Sequence, residues 1–170
     1  MISNRNVKAV LKDGDKIIDY DVTHNRLMQE GMTQATANAF GDLNSFNTSG
    51  IGALLVGLID NTGFTGIGTS PNDTWALHPG WVETSNYNGQ LALVYTEPLV
   101  ALDTGFRVEL LPSERLIFTF TAPESVRGAF ILLNGRLLTA LKFNKVFAVS
   151  PGQTLEFDYS FTIKLDRLSL

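Results

Sequence analysis

Leu155-Glu156-Phe157-Asp158-Tyr159-Ser160-Phe161-Thr162-Ile163-Lys164-Leu165 is the stretch that decides the fold class. Apolar and polar residues alternate through it without a break, and a period of two gives a strand one buried and one wetted face. Wound as a helix, the same residues would spread their apolar groups around the whole circumference. Pro151-Gly152 supplies a turn just before it. The stretch reads as one strand, with Phe157, Tyr159, Phe161 and Ile163 facing inward and Glu156 and Asp158 facing water.

Working back along the chain, similar signals recur. Leu116, Phe118 and Phe120 alternate with Ile117, Thr119 and Thr121 until Pro123 ends the run. Phe106–Leu110 and the set Leu91, Leu93, Tyr95 alternate over shorter spans. Ala53–Ile59 and Val126–Leu133 are nearly continuous apolar runs, which suit strands covered on both faces, or on the outer face by another subunit. Asp13-Gly14 separates Val7–Lys12 from Lys16–Tyr20 and predicts a hairpin. Between Val22 and Gly50 the character changes to Asn and Gly punctuation. Met28, Met32, Ala35 and Ala39 form a thin helical stripe there, with Thr33 placed to cap a short helix through Phe40. A connection of about 28 residues is uncommon inside a compact domain, so something outside the domain is expected to hold it.

Short strands at intervals of ~8–12 residues with no βα alternation indicate an all-β protein. The expected architecture is an antiparallel β sandwich, jelly-roll-like, over residues 51–170. An N-terminal hairpin and arm, extended or partly helical, is expected over residues 1–50.

Composition narrows the function. The chain has 170 residues, with 13 Lys+Arg against 17 Asp+Glu and a formal charge of −4. That balance offers no basic field for nucleic acid. The absence of cysteine excludes disulfides, thiol nucleophiles and thiolate metal sites. The opening Met1-Ile2-Ser3-Asn4-Arg5-Asn6 has no apolar core of a signal peptide, and Ile51–Ile59 is far shorter than the ~20 residues that span a bilayer. A protein made in the cytoplasm, with no membrane partner, is expected.

Reactive constellations are sparse. His24 and His78 are the two imidazoles. His78 could act as a base with Glu83 or bind a metal with Asp73, but zinc needs three or four converging ligands and no such spacing is present. A structural turn flanked by Trp75 and Trp81 is the better reading. Gly63-Phe64-Thr65-Gly66-Ile67-Gly68 looks superficially like a phosphate loop, yet turn residues follow it where a helix is required. Glu156 and Asp158 share a strand face with Ser160, Thr162 and Lys164, as a solvated face would. There is no Gly-x-Ser-x-Gly elbow. No catalytic residue, cofactor site or metal site is assigned, and the chain is expected not to be an enzyme.

Leu54–Asp60 leads into Gly63-Phe64-Thr65, then into Asp73-Thr74-Trp75…His78-Pro79-Gly80-Trp81-Val82-Glu83…Tyr87. Val126-Arg127-Gly128-Ala129-Phe130-Ile131 and Pro151-Gly152-Gln153-Thr154-Leu155 come later. This order resembles a group of small virion proteins of tailed bacteriophages, over roughly Ile51 to Leu165. Two features depart from that group: Asn88-Gly89-Gln90-Leu91 stands in place of an Arg-Pro pair and a Trp, and Gln153 in place of an aspartate. The resemblance implies a jelly-roll cement or decoration protein on the outer capsid surface, often a homotrimer, with the major capsid protein as partner. The competing expectation is a tail or receptor-binding module that contacts glycan through Trp75, Trp81 and Tyr87.

Overall fold

The computed structural model describes residues 2–3, 6–27, 54–64, 75–93, 100–102, 105–110, 115–133, 136–158 and 161–166. In chain order the strands are β1 (Ile2–Ser3), β2 (Asn6–Asp13), β3 (Lys16–Leu27), β4 (Leu54–Asp60), β5 (Leu91–Ala92) and β6 (Val100–Leu102). Then come β7 (Gly105–Leu110), β8 (Leu116–Thr119), β9 (Glu124–Leu133), β10 (Arg136–Val149), β11 (Thr154–Asp158) and β12 (Phe161–Asp166). A 3-10 turn, Trp75–Leu77, precedes β5. All strand pairings are antiparallel. The all-β sandwich read from the sequence is the fold.

The strands form an eight-stranded sheet, ordered β5-β4-β9-β10-β3-β2-β11-β8, and a four-stranded sheet, ordered β1-β12-β7-β6. The larger sheet folds over on itself. Its β10 and β11 are three places apart, about 14 Å in a flat sheet, yet the rings of Phe143 and Phe157 stack 5.7 Å apart. Phe118 meets Phe157 at 5.2 Å and Phe143 meets Phe147 at 5.2 Å, so one aromatic core joins both layers. Val7, Ala9 and Leu11 of β2 share it with Leu54, Val56 and Leu58 of β4. Val7, Ala9 and Leu11 of β2, Leu116 and Phe118 of β8, and Leu155 and Phe157 of β11 recur at every second residue, which turns them to the same face.

The fold line lies at β3 and β10. Residues Lys16–His24 of β3 pair with β2, whereas Asn25–Leu27 pair with Leu141–Thr139 of β10. Across the gap between these ladders, side chains take over the hydrogen bonding. Asp21, 6% exposed, accepts from Asn144 N (2.6 Å) and Asn144 Nδ2 (2.9 Å). Thr23 Oγ1 donates to Lys142 O at 2.7 Å. Buried polar groups are retained here because each meets a backbone group of β10: Asn144 lies in the irregular stretch between Lys142 and Phe147 that has no partner in the β9 ladder, and Lys142 stands at its start.

Two sequence expectations change shape. The Asp13-Gly14 hairpin forms, with Gly14 and Asp15 as its turn, but it does not belong with an arm. It sits in the middle of the larger sheet, between β11 and β10. The sandwich therefore begins near residue 6, and β3 carries Val22–Leu27 with it. The remainder of the arm, with the Thr33–Phe40 helix, lies outside the described residues. The final stretch is two strands rather than one. Leu155 and Phe157 are buried as read, while β12 passes into the four-stranded sheet. The side chains of Tyr159, Phe161 and Ile163 lie outside the described residues. The ribbon slips by one residue at this crossing: Lys8 faces Asp158, but Ser3, five residues earlier, faces Thr162, four residues later. The preceding Ser150–Gln153 turn closes with Gln153 N donating to Ser150 O at 3.1 Å, and Gly152 takes the positive φ of 83° that its third position requires.

The outer faces of β4 and β9 are also covered, and over Ile59 and Phe130 the cover comes from this chain itself. Phe64, Trp81, Leu137 and Ala140 complete a second core there, with Trp75 and Leu132 at its margin.

Candidate functional site: the Trp75–Leu93 segment

The block that carries the resemblance begins with the Trp75–Leu77 turn. His78 N donates to Trp75 O at 3.1 Å and Trp81 N donates to His78 O at 2.8 Å, so Pro79-Gly80 forms the tip of a second turn. This tip lies against the backbone at Gly63. A Cβ at Gly63 would stand 2.2 Å from Gly80 O, and the φ of +72° is one that favours glycine. Gly63 is thus required by close packing, and Thr65–Gly68 of the glycine-rich stretch lie outside the described residues.

The aromatic residues face one another. The His78 ring lies flat on Trp81, 3.8 Å between centroids and 10° between planes. Trp81 meets Phe64 edge-on at 5.1 Å and Trp75 at 5.7 Å, and Trp75 packs on Phe130 at 4.6 Å. Trp81 is 5% exposed. These contacts resemble a core in both spacing and geometry.

Beyond Trp81 the chain runs as a strap between the two edges of the folded sheet. Asp60 N donates to Val82 O (2.9 Å) and Thr84 N to Leu58 O (3.0 Å), along the end of β4 that β5 leaves unpaired. The strap then crosses to β8, where Thr121 N donates to Asn86 O (3.0 Å) and Asn88 N to Thr119 O (3.1 Å). The Asn88 side chain repeats the pattern, accepting from Thr119 N at 3.1 Å and donating to Ile117 O at 3.2 Å. It returns through β5, and Leu93 N donates to Leu54 O at 2.9 Å. Two sheet edges that would otherwise offer unpaired backbone groups are thereby occupied.

Glu83 is the polar centre of the strap. Its carboxylate accepts from Tyr87 OH at 2.5 Å and from Gln90 Nε2 at 3.0 and 3.2 Å. Tyr87 packs on Phe118 and Phe120. Burial, with the Glu83 carboxylate beside it, pushes the Tyr87 phenol well above its ordinary value of 10.0. A phenol held protonated and already donating is a structural hydrogen bond, not a nucleophile or a base near neutrality. Asn86 Nδ2 donates to Glu124 close by.

Comparison with protein families, characterised proteins and solved structures finds no match to this chain. The residues singled out from the sequence must therefore be judged on geometry. Trp75, Trp81 and Tyr87 are brought into the strap and its footing, and all three are packed on other rings. Glu83 is engaged by Tyr87 and Gln90, and Asp73 lies outside the described residues. Among the described residues, no group of three His, Asp or Glu side chains converges to hold a metal ion.

Glu156 and Asp158 do share the outer face of β11, but as ion pairs. Lys12 Nζ lies 2.9 Å from Glu156, while Arg115 bonds Glu156 at 2.9 Å and Asp158 at 2.7 Å. These side chains leave Glu156 8% exposed although it points away from the core. Burial opposes its ionisation, but the hydrogen bonds from Lys12 and Arg115 outweigh that and hold the carboxyl below its ordinary value of 4.5. A depressed folded value means that the stability it contributes is complete above 4.5 and is lost as pH falls through the folded value. Lys12→Met is accordingly expected to lower the urea midpoint at pH 7, with the gap closing as pH falls below 4.5 and through the folded value of Glu156. A gap that persists at low pH would assign the effect to packing of the lysine stem instead.

Proposed function

We propose that this chain is a non-enzymatic structural protein of a tailed-bacteriophage particle, a cement protein on the outer capsid surface. In this reading it joins neighbouring major-capsid subunits and associates with itself as a homotrimer. The observation that carries it is the use made of the Trp75–Leu93 segment. The residues of the resemblance serve to cover one sheet face and to tie two sheet edges, so the segment builds a rigid module. The glycan-contacting alternative needs open ring faces, and Trp81 is stacked under His78. The net charge of −4 supports a place outside the shell, since phosphate would repel an acidic lumenal protein.

Cement binding acts by mass action on the assembled shell. Heads lacking the protein are expected to release DNA at a lower temperature than complete heads, and electron microscopy of the virion should place its density on the capsid exterior. Density at the tail tip alone would end the cement reading and favour the receptor-binding one.

A further inference from the structure

We propose that Asn88-Gly89, where the strap crosses to β8, is a deamidation site gated by the strap itself. Clamped on β8 the pair is protected. Once lifted it reacts, and the product no longer closes the β8 edge. The proposal does not depend on where in a virion the protein sits.

Asparagine is among the least heat-stable residues, and a following glycine, with no side chain, leaves the reacting amide least hindered. The Gly89 amide nitrogen attacks Asn88 Cγ, the Cγ–Nδ2 bond breaks, and ammonia leaves with the proton that the Gly89 nitrogen gives up. The cyclic imide so formed then takes up water and opens to aspartate or to isoaspartate, so water is the only co-reactant. There is room for the ring. Asn88 is exposed, and at Gly89, whose φ is +87°, even an added Cβ would meet nothing within 4 Å. The sequence has one other Asn-Gly pair, Asn134-Gly135, outside the described residues.

The closed strap holds Asn88 away from this reaction. Its side-chain amide lies along the β8 edge, Oδ1 accepting from Thr119 N at 3.1 Å and Nδ2 donating to Ile117 O at 3.2 Å. Its main-chain N donates to Thr119 O at 3.1 Å. Closing the ring draws Cγ onto the main chain and expels Nδ2, so both side-chain bonds must be given up. The clamp is nonetheless a surface one, made of exposed hydrogen bonds on the outermost strand of the sheet, and segments of that kind open locally. Neither product restores it. Aspartate has no donor for Ile117 O and sets a carboxylate against that carbonyl. In isoaspartate the former Cγ has become main chain, so the group that gripped β8 is gone and the strap carries an extra methylene. Because ammonia is lost, the change is one-way, and the backbone groups of β8 at Thr119 are left open.

The test is peptide mapping of the full chain after incubation in mildly alkaline buffer, with and without urea above the unfolding midpoint, reading aspartate and isoaspartate at position 88 by mass spectrometry. Conversion in urea, and conversion slower by about 10-fold or more in the folded protein, is the expected result. Tyr87→Phe removes the hydroxyl that donates to Glu83 and keeps the ring that packs on Phe118 and Phe120. With its Tm checked to confirm folding, this variant should convert about 5-fold faster than the wild type in the folded state, the worth of one hydrogen bond. Hydrogen exchange of the converted protein should show the Thr119 and Thr121 amides losing protection while those of β2 keep theirs. Equal rates with and without urea would mean that the clamp protects nothing, and no conversion in urea that the pair is not a site. A Tyr87→Phe rate equal to that of the wild type would remove the strap as the gate, and unchanged protection of Thr119 and Thr121 after conversion would mean that β8 stays closed. Each of these four results would overturn the proposal.

Discussion

Gly57→Ala is expected to destabilise the protein by about 1–3 kcal/mol, in a strand interior where alanine is ordinarily the better residue. Gly57 of β4 faces Phe130 of β9 directly across the ladder. An added Cβ would lie 2.3 Å from Phe130 Cζ and 2.7 Å from Cε1, well inside contact distance. The ring cannot easily retreat, because Trp75 packs on it at 4.6 Å and it is almost wholly buried. Covering a strand glycine with a cross-strand aromatic in this way removes the weakness the glycine would otherwise cause. Phe130→Ala alone should cost about 3–5 kcal/mol. In that background Gly57→Ala should become neutral or stabilising, by up to about 1 kcal/mol. Urea unfolding of the four proteins in a double-mutant cycle measures the coupling directly. Equal penalties in both backgrounds would mean that something other than the Phe130 ring excludes the methyl group.

Trp81→Ala should be of similar size, about 3–5 kcal/mol, or a fall in Tm of about 2–4 °C for each kcal/mol. Trp81 supports three rings at once: His78 flat on its face, and Phe64 and Trp75 at its edges. Its loss would open the second core and free the start of the strap that holds β4 to β8. Trp81→Phe should recover part of the loss by refilling the hydrophobic volume. The measurement is thermal unfolding followed by circular dichroism. A Tm unchanged in Trp81→Ala would mean that the indole is not structural, and would return the block to the ligand-binding reading.

How much of this was legible in the sequence depends on where the period of two was left intact. Leu116, Phe118 and Phe120 are buried and Ile117 and Thr119 exposed, and Leu155 and Phe157 face the core on either side of Glu156, because each stretch lies in a regular ladder with one face on the core. Arg136–Val149, the longest strand among the described residues, gave no clear signal. Its ladder with β9 is irregular between Leu137 and Thr139 and again between Lys142 and Phe147, and each extra residue resets which parity faces inward. In the Trp75–Leu93 segment, the turn at Pro79-Gly80 and the packing role of the tryptophans were readable from composition. The strap was not, since the hydrogen bonds that Thr121 donates to Asn86 O and that Asn88 makes with Thr119 and Ile117 join residues some thirty positions apart in sequence.

The sequence by itself determined the β class, the Asp13-Gly14 hairpin and the two buried apolar runs, because these follow from local pattern and turn chemistry. Tertiary structure decided which face of each strand counts as inside. Ile18, Tyr20 and Val22 alternating with Asp19, Asp21 and Thr23 would, by pattern, turn the apolar set to the core. The fold turns it to solvent, because β3 lies where the sheet bends, and there the irregular backbone of β10 needs hydrogen-bonding partners more than the core needs another apolar row. The same long-range logic divided Leu155–Leu165 between two sheets. A strand's alternation records only that it has two different faces, and the neighbours that assign those faces are contributed by distant parts of the chain.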